Sequence, residues 1–550
     1  MSRTRGIGGG RLWRAALIAA LGALTACGTT LQASTRHAGV GGSTGTLSSG
    51  SGGGSGSELG GGTSSGNGGG SGRGAPTGAG TSSGTGGGSG PGLGLATGPG
   101  GGNGTGVSAS GTAAGPSGRA GTGGAGPGGS PGAAGGSVSN VPGVKDGQIY
   151  FGYVNLVNQG AERQALGQAG FGGLDFNQTF VDLANYINTH GGIRGLKIKL
   201  VPFNRDATDQ NTTEASWEQK ECVAWTQDTR VFAAYQGEGH AGVLDPCLNK
   251  AGVIEMCGGC VLTTYDDQEF AKFPLLYEPA GASVSRVVPA YVQGLVQAGF
   301  FNGPAVKIGL LAFDNARYHQ AAGQLAQVLK GDGLSLADQA FVQEAQSAQD
   351  YGPALTELQN YELKFKSEQI NRVLVLDESG AILGYGTTIA DKQQWYPHWG
   401  VNSTSGPAGL IASGAYDPPS ERSGQTVVGW VPGADEGYEF KDSQRPPGLD
   451  PCLKILQDYG ITPSGDNNLG AVGQQCDTLF FFRAALQAAG TVSVPAFQTG
   501  AASLGSSFGS ALTYVTQWTS ARRDGAGIYR SAVYDAGCGC LAYVGTPHSM

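Results

Sequence analysis

The chain has little of what enzymes rely on. It holds 6 histidines in 550 residues, and none are paired at metal-ligand spacing. No His-Glu-x-x-His and no Gly-Lys-Ser/Thr string occurs, and a Gly-x-Ser-x-Gly elbow is not expected in the folded part. Without a nucleophile and base, paired acids or a metal set, catalysis is not the expected activity, and no cofactor or metal is called for. Charge is scarce as well: 13% of residues are charged and the net charge is −8. No basic face of the kind nucleic-acid binding needs is present. From Gly41 to Asn140 there is no aromatic residue and almost no charge beyond Glu58, Arg73 and Arg119, while much of the chain's complement of 102 glycines lies there. Such a stretch buries too little apolar surface to offset chain entropy, so residues 28–143 are read as a disordered Gly/Ser/Pro-rich linker. About 115 residues of this type reach roughly 60 Å root-mean-square.

The N-terminus supplies something for that spacer to be tethered to. Arg3, Arg5, Arg11 and Arg14 precede an apolar run from Ala15 to Leu24, the layout of an export signal. The run is too short to span a bilayer comfortably, and no later stretch is apolar and long enough to do so. Residues 1–27 end in Leu24-Thr25-Ala26-Cys27, which resembles the bacterial lipobox. That resemblance implies cleavage before Cys27 and lipidation of its thiol, with two acyl chains holding the mature protein on the extracytoplasmic side of the cell membrane.

The folded part opens on a strand carrying Ile149, Phe151, Tyr153 and Val154. A helix follows with Phe176, Phe180, Leu183, Ala184 and Ile187 on one face, stopped by Gly191 and Gly192. A second strand places Leu196, Ile198 and Leu200 on one side and Lys197 and Lys199 on the other. Strand–helix–strand in one sheet means parallel strands and a right-handed crossover. The alternation continues through Val231–Tyr235, Val253–Met256, Leu275–Tyr277, Val306–Phe313 and Val373–Leu376, so the fold class is α/β with doubly wound sheets. Asn188-Thr189-His190-Gly191-Gly192-Ile193-Arg194-Gly195 resembles the N-x-x-GGI-x-G turn of type I periplasmic binding proteins, within them the leucine/isoleucine/valine-binding branch of ABC-transporter substrate-binding proteins.

The resemblance implies two lobes, each a mostly parallel sheet with helices on both faces, and a cleft between them. The expected division is 144–280 plus about 401–431 for the first lobe and 281–400 plus about 432–550 for the second, with crossings near Pro279, Gly400 and Pro432. It also implies a solute-binding lipoprotein that closes on a small molecule and docks on a membrane ABC permease. A ligand-sensing protein of the same fold, or a surface-tethered interaction protein, is the alternative. Ligands sit beyond the carboxyl ends of strands in such sheets, which points to Phe171, Glu238, Gly239, His240, Gly259 and Cys260 in the first lobe, and to Tyr318, Glu378, Trp399 and Asn402 in the second. Glu238 and His240 stand where amino-acid-binding members hold a carboxylate with hydroxyls, and Asn402 stands where they place an acid. A neutral or cationic, partly apolar ligand is therefore expected in preference to leucine, isoleucine or valine.

Beyond Cys27 the cysteines form an even set: Cys222, Cys247, Cys257, Cys260, Cys452, Cys476, Cys538 and Cys540. In an exported chain these read first as disulfides, with zinc, copper(I) or redox chemistry as rivals. Cys222 with Cys247, and Cys452 with Cys476, are plausible bridges.

Overall fold

The structure, a computed structural model, describes residues 141–550 except 159–173, 207, 210–211, 237–241, 258–264, 345–349, 379, 414–416, 438–444 and 464. The first sheet is built on β2 (Gln148–Val157), which runs parallel to β3 (Lys197–Asp206) along its whole length and to β4 (Ala233–Gln236) on its other side. β5 (Ile254–Cys257) and β6 (Leu276–Tyr277) extend the sheet in parallel, and the short β1 (Val144–Lys145) pairs antiparallel with the start of β2. Helix α1 (Phe176–Thr189) connects β2 to β3 as the apolar spacing predicts. Asp175 caps it by accepting from the Gln178 N–H, and Phe180, Leu183 and Ile187 are buried. Gly192, at φ 63° behind the helix, has no room for a side chain: a Cβ there would lie 2.1 Å from the Leu196 carbonyl oxygen. α2 (Glu214–Val223) and α3 (Leu244–Ala251) cover the opposite face with Trp225, and α4 (Asp267–Lys272) precedes β6.

The second sheet runs in the order β13-β12-β11-β10-β9-β7-β8. Its parallel strands are β7 (Ile308–Phe313), β8 (Leu336–Val342), β9 (Arg372–Leu376), β10 (His398–Asn402) and β11 (Gln425–Gly429). β12 (Ile528–Asp535) and β13 (Cys540–Ser549) close one edge as an antiparallel hairpin. β7 and β9 are buried along their whole length, as central parallel strands covered on both faces should be. Around this sheet lie α5 (Val284–Gln297), α6 (Ala316–Gly331), α7 (Tyr351–Ser367), α8 (Ala381–Lys392), α9 (Pro407–Ser413), α10 (Pro419–Arg422) and α11 (Pro432–Asp435).

The lobe boundaries differ from the expected ones. Residues 401–431 do not return to the first lobe: Val401 and Asn402 pair in register with Val427 and Val428 inside the second sheet, and Gly400 is a mid-strand residue. The segment that returns is the tail. α12 (Leu449–Asp458), α13 (Asp466–Ala489) and α14 (Val494–Ser503) pack on the first sheet, where Phe482 lies 5.1 Å from Phe151 and 5.9 Å from Phe232. The reason is apolar surface. α1 alone leaves that face uncovered, and Phe481, Phe482 and Phe497 fill it. The chain therefore crosses at Glu278–Ser283, again after β11, and a third time near Arg523–Ala526. The first and third crossings are laced together: Glu278 N–H donates to Arg523 O at 2.9 Å, Gly525 N–H to Glu278 O at 2.8 Å and Ala526 N–H to Gly281 O at 2.9 Å. Among the described residues no single helix is long and apolar enough to cross a membrane.

Disulfides join Cys222 to Cys247, Cys452 to Cys476 and Cys538 to Cys540, with Cα separations of 6.0, 6.2 and 5.2 Å. Cys257 is also disulfide-bonded, and Cys260 lies outside the described residues. Loop closure makes these bonds unequal. The first two close loops of sequence separation 25 and 24, the third one of separation 2. Replacing Cys452 and Cys476 by Ser should cost about 3–4 kcal/mol in urea unfolding, and replacing Cys538 and Cys540 less than about 2 kcal/mol. Equal losses would show that loop entropy is not what these bonds supply.

Candidate functional site

In the second sheet β7 has β8 on one side and β9 on the other, the arrangement in which open α/β sheets hold ligands in a crevice beyond the strands' carboxyl ends, here those of β7 and β9. Those ends carry Asp314 to Tyr318 and Asp377–Glu378. Asn315 caps α6 by accepting from the Tyr318 N–H at 3.0 Å, which sets Arg317 and Tyr318 in the first turn. Arg317 reaches across to α4 of the first lobe. Its Nε and Nη2 donate to Oε2 and Oε1 of Glu269 at 3.1 and 3.0 Å, and Nη1 lies 3.9 Å from Glu378 Oε2. The guanidinium also sits 5.5 Å from the ring of Tyr265, the residue just before the Asp266 cap of α4. Burial works against the charge on Arg317, but Glu378 and Glu269 outweigh it and push its pKa up. One held cation thus ties the two lobes at the crevice.

Two buried polar groups lie within its electrostatic reach. Among the described residues the hydroxyl of Tyr318, 2% exposed, has no hydrogen-bond partner, while Glu278, at the first crossing, is wholly buried with the Tyr265 main-chain N–H as the donor acting on its carboxyl. Burial, then Glu378, raises the Tyr318 pKa; burial, then Asp524, raises that of Glu278. Tyr265 is anchored from behind, its hydroxyl donating to Asp245 at 3.3 Å. Arg317, Tyr265, Glu269 and Glu278 are not among the sequence candidates. The available signal for Arg317 was its place beside Tyr318 at a helix start.

Tyr318 and Glu378 come together around Arg317 as strand-end residues should. Asn402 is buried at the end of β10, where its side-chain oxygen accepts from the Thr404 N–H at 2.8 Å and hydroxyl at 2.6 Å, holding a turn. Trp399 sits in the core of the second lobe and not at a strand end: its indole N–H donates to Glu421 at 2.9 Å and its ring meets Trp395 and Gly386. A residue inside a parallel strand packs on the helix layer, which strand-end counting by sequence misjudged by three positions. Phe171, Glu238, Gly239, His240, Gly259 and Cys260 lie outside the described residues. Contrary to expectation, residues 505–509 do spell Gly-x-Ser-x-Gly. Ser507 follows a helix there, not a strand, and its hydroxyl donates to the Leu504 carbonyl at 2.6 Å, so the string is no nucleophile elbow. Among the described residues no group of three or more histidines, cysteines or acids is placed to hold a metal ion.

No protein-family model and no curated protein matches the sequence. Solved structures do match in fold. A branched-chain amino acid ABC transporter protein from Thermus thermophilus with bound valine superposes with a TM-score of 0.53 at 12% identity, covering 73% of this chain and 97% of that one. A fatty acid ABC transporter substrate-binding protein from Thermomonospora curvata gives 0.50 at 15% identity, over 74% and 94%. An extracellular ligand-binding receptor from Verminephrobacter eiseniae gives 0.50 at 13% identity, over 72% and 100%. The fold is that of type I periplasmic binding proteins, here two mostly parallel sheets with helices on both faces.

Two outcomes follow from the site's electrostatics. Arg317→Ala should destabilise the protein by on the order of 2–3 kcal/mol, less than the ~3–5 of a fully buried pair because the Glu269 side chain keeps 27% exposure. An Arg317/Glu269 double-mutant cycle measures the coupling, and additivity would remove the lobe-tying role. Burial also raises Asp377 to about 6 and Asp435 to about 7, each partly offset by hydrogen bonds, with Glu421 at about 7. A carboxyl whose folded pKa is raised contributes stability below its unfolded value near ~4, and loses it as pH rises through the folded value. Denaturation midpoints should therefore fall from about pH 4 to about pH 7. A midpoint that rises over this interval would mean these acids are ionised in the fold.

Proposed function

We propose that the chain is an extracytoplasmic solute-binding lipoprotein that closes two lobes on a small molecule and delivers it to an ABC permease. The observation that carries this reading is a single cation, Arg317, bonded across two doubly wound lobes at the strand-end crevice, in a fold shared with ABC-transporter substrate-binding proteins. Closure is a population shift. A ligand that touches both lobes when they are closed stabilises that form by its differential affinity. Cys27 would carry the lipid anchor, and the stretch to residue 143 would let the lobes range from the membrane towards a permease. The neighbouring structures include proteins with bound valine and a fatty-acid transporter component, so the fold admits quite different ligands. Tyr318 and Glu378 from the second lobe, with Glu238 and His240 from the first, are the residues we assign to the ligand.

The reading is tested on the full chain by small-angle scattering and a thermal-shift screen of amino acids, amides, sugars and aromatic acids and amines. A ligand that raises Tm and shrinks the radius of gyration supports it. A binder that leaves the radius unchanged argues against lobe closure. Cys27→Ser should release the protein into the medium, and a variant still membrane-bound after a salt wash would count against lipidation.

A further inference from the structure

Of the disulfides described, one contributes little to holding the fold. Cys222, Cys452 and Cys476 are buried, and their bridges close loops of separation 25 and 24. Cys538 and Cys540 stand two residues apart at the tip of the β12–β13 hairpin. That hairpin holds its turn without the bond. Its strands stay in register from Ser531 opposite Val544 to Asp535 opposite Cys540, and the Gly539 N–H donates to the Asp535 carbonyl at 2.9 Å. A bridge over so short a loop removes little chain entropy from the unfolded state.

The two sulfurs also have different surroundings. Cys538 is exposed in the turn, whereas Cys540 is 5% exposed at the first position of β13. The turn is open above Gly539: chain neighbours aside, the nearest described atom to a Cβ there would be the Tyr534 hydroxyl oxygen at 3.9 Å. Cys538 Sγ lies 3.5 Å from the Asp535 carbonyl oxygen, an acceptor in place for the S–H that reduction would create. Thiol–disulfide exchange needs a thiolate to reach one sulfur of the bond, so access decides which sulfur is attacked. An open sulfur next to a shielded one supplies both an attack position and a resolving position.

We propose that Cys538–Cys540 is a thiol–disulfide exchange site, opened by attack on Cys538. A thiolate from a small thiol or a protein dithiol bonds to Cys538 Sγ as the Sγ–Sγ bond breaks, and Cys540 leaves with the electron pair and takes up a proton. A second thiolate then attacks the donor sulfur of the mixed disulfide, which releases the donor as a disulfide and Cys538 as a thiol. The two donor thiols supply the two electrons and two protons that the pair gains. Where no second thiol arrives, Cys540 attacks Cys538 Sγ, expels the donor and restores the bridge. The site does not depend on the solute-binding reading.

The test exposes the full-length protein, without denaturant, to reduced glutathione and separately to reduced thioredoxin, then alkylates free thiols at intervals and locates them by peptide mass spectrometry. Cys538 and Cys540 should be alkylated about tenfold or more faster than Cys222, Cys247, Cys452 and Cys476, before circular dichroism changes. Reduction by glutathione alone makes small thiols the donors, and reduction by thioredoxin alone makes protein dithiols the donors; either result supports the site. Direction is tested with single variants and oxidised glutathione: Cys540→Ser should take glutathione onto Cys538 about tenfold or more faster than Cys538→Ser takes it onto Cys540, with melting curves as the folding control. A bridge that opens no faster than Cys452–Cys476, or that opens only as the protein unfolds, overturns the proposal. Glutathione added no faster to Cys538 than to Cys540 overturns it as well.

Discussion

A parallel sheet must be covered on both faces, because its strands are buried and their crossovers are helices. In this protein the first sheet lacks enough helix of its own to meet that requirement. α1 covers part of one face, and the rest is filled by Phe481, Phe482 and Phe497 from a tail whose sequence lies far downstream, after the second sheet's parallel strands are complete. The chain must therefore leave the second lobe, cover the first and come back to finish the second sheet with β12 and β13. The crossings follow from this demand for coverage. Their lacing follows as well: Gly525 runs so close to the first crossing that a Cβ would lie 2.0 Å from the Pro279 carbonyl oxygen, and the two crossings are held side by side by backbone hydrogen bonds and by Asp524, which accepts from the Ser283 N–H and pairs with Arg286.

That joint places acids where water cannot reach them. Glu278 and Asp524 come from the two laced crossings, and the nearby crevice adds Glu269, Asp377 and Glu378. Arg286 serves the joint and Arg317 serves the crevice. Buried charge of this kind is weak support for stability, since desolvation offsets most of the attraction. The second lobe repeats the theme at the middle crossing, where Ser403 accepts from the Trp430 and Val431 N–H groups at 2.8 and 3.2 Å and donates to Asp435 at 2.7 Å.

Much of the architecture was legible in the chain. The apolar period of α1 and the Gly191-Gly192 stop locate the first strand–helix–strand unit, and the apolar runs at Val306–Phe313 and Val373–Leu376 locate the centre of the second sheet. The bridges of Cys222 to Cys247 and Cys452 to Cys476 were readable from the even cysteine set and their spacing. The site was legible only in part. Tyr318 and Glu378 fall where strand-end counting puts them, whereas Trp399 was misjudged because a strand's last residues and its interior look alike in sequence.

Local signals determined the elements: periodicity, caps and glycines act over a few residues, so the sequence alone specifies them. It also specified the even set of cysteines, the scarcity of charge and the low-complexity stretch before residue 144. Which lobe each later element joins was decided by tertiary structure, because β11 pairs by register with β10 and α13 packs by apolar fit, and neither partner is marked in the chain. The meeting of Arg317 with Glu269, 48 residues apart, belongs to the same category. Nothing in either residue's neighbourhood selects the other, and only the packed lobes bring the cation and the acid within hydrogen-bonding distance.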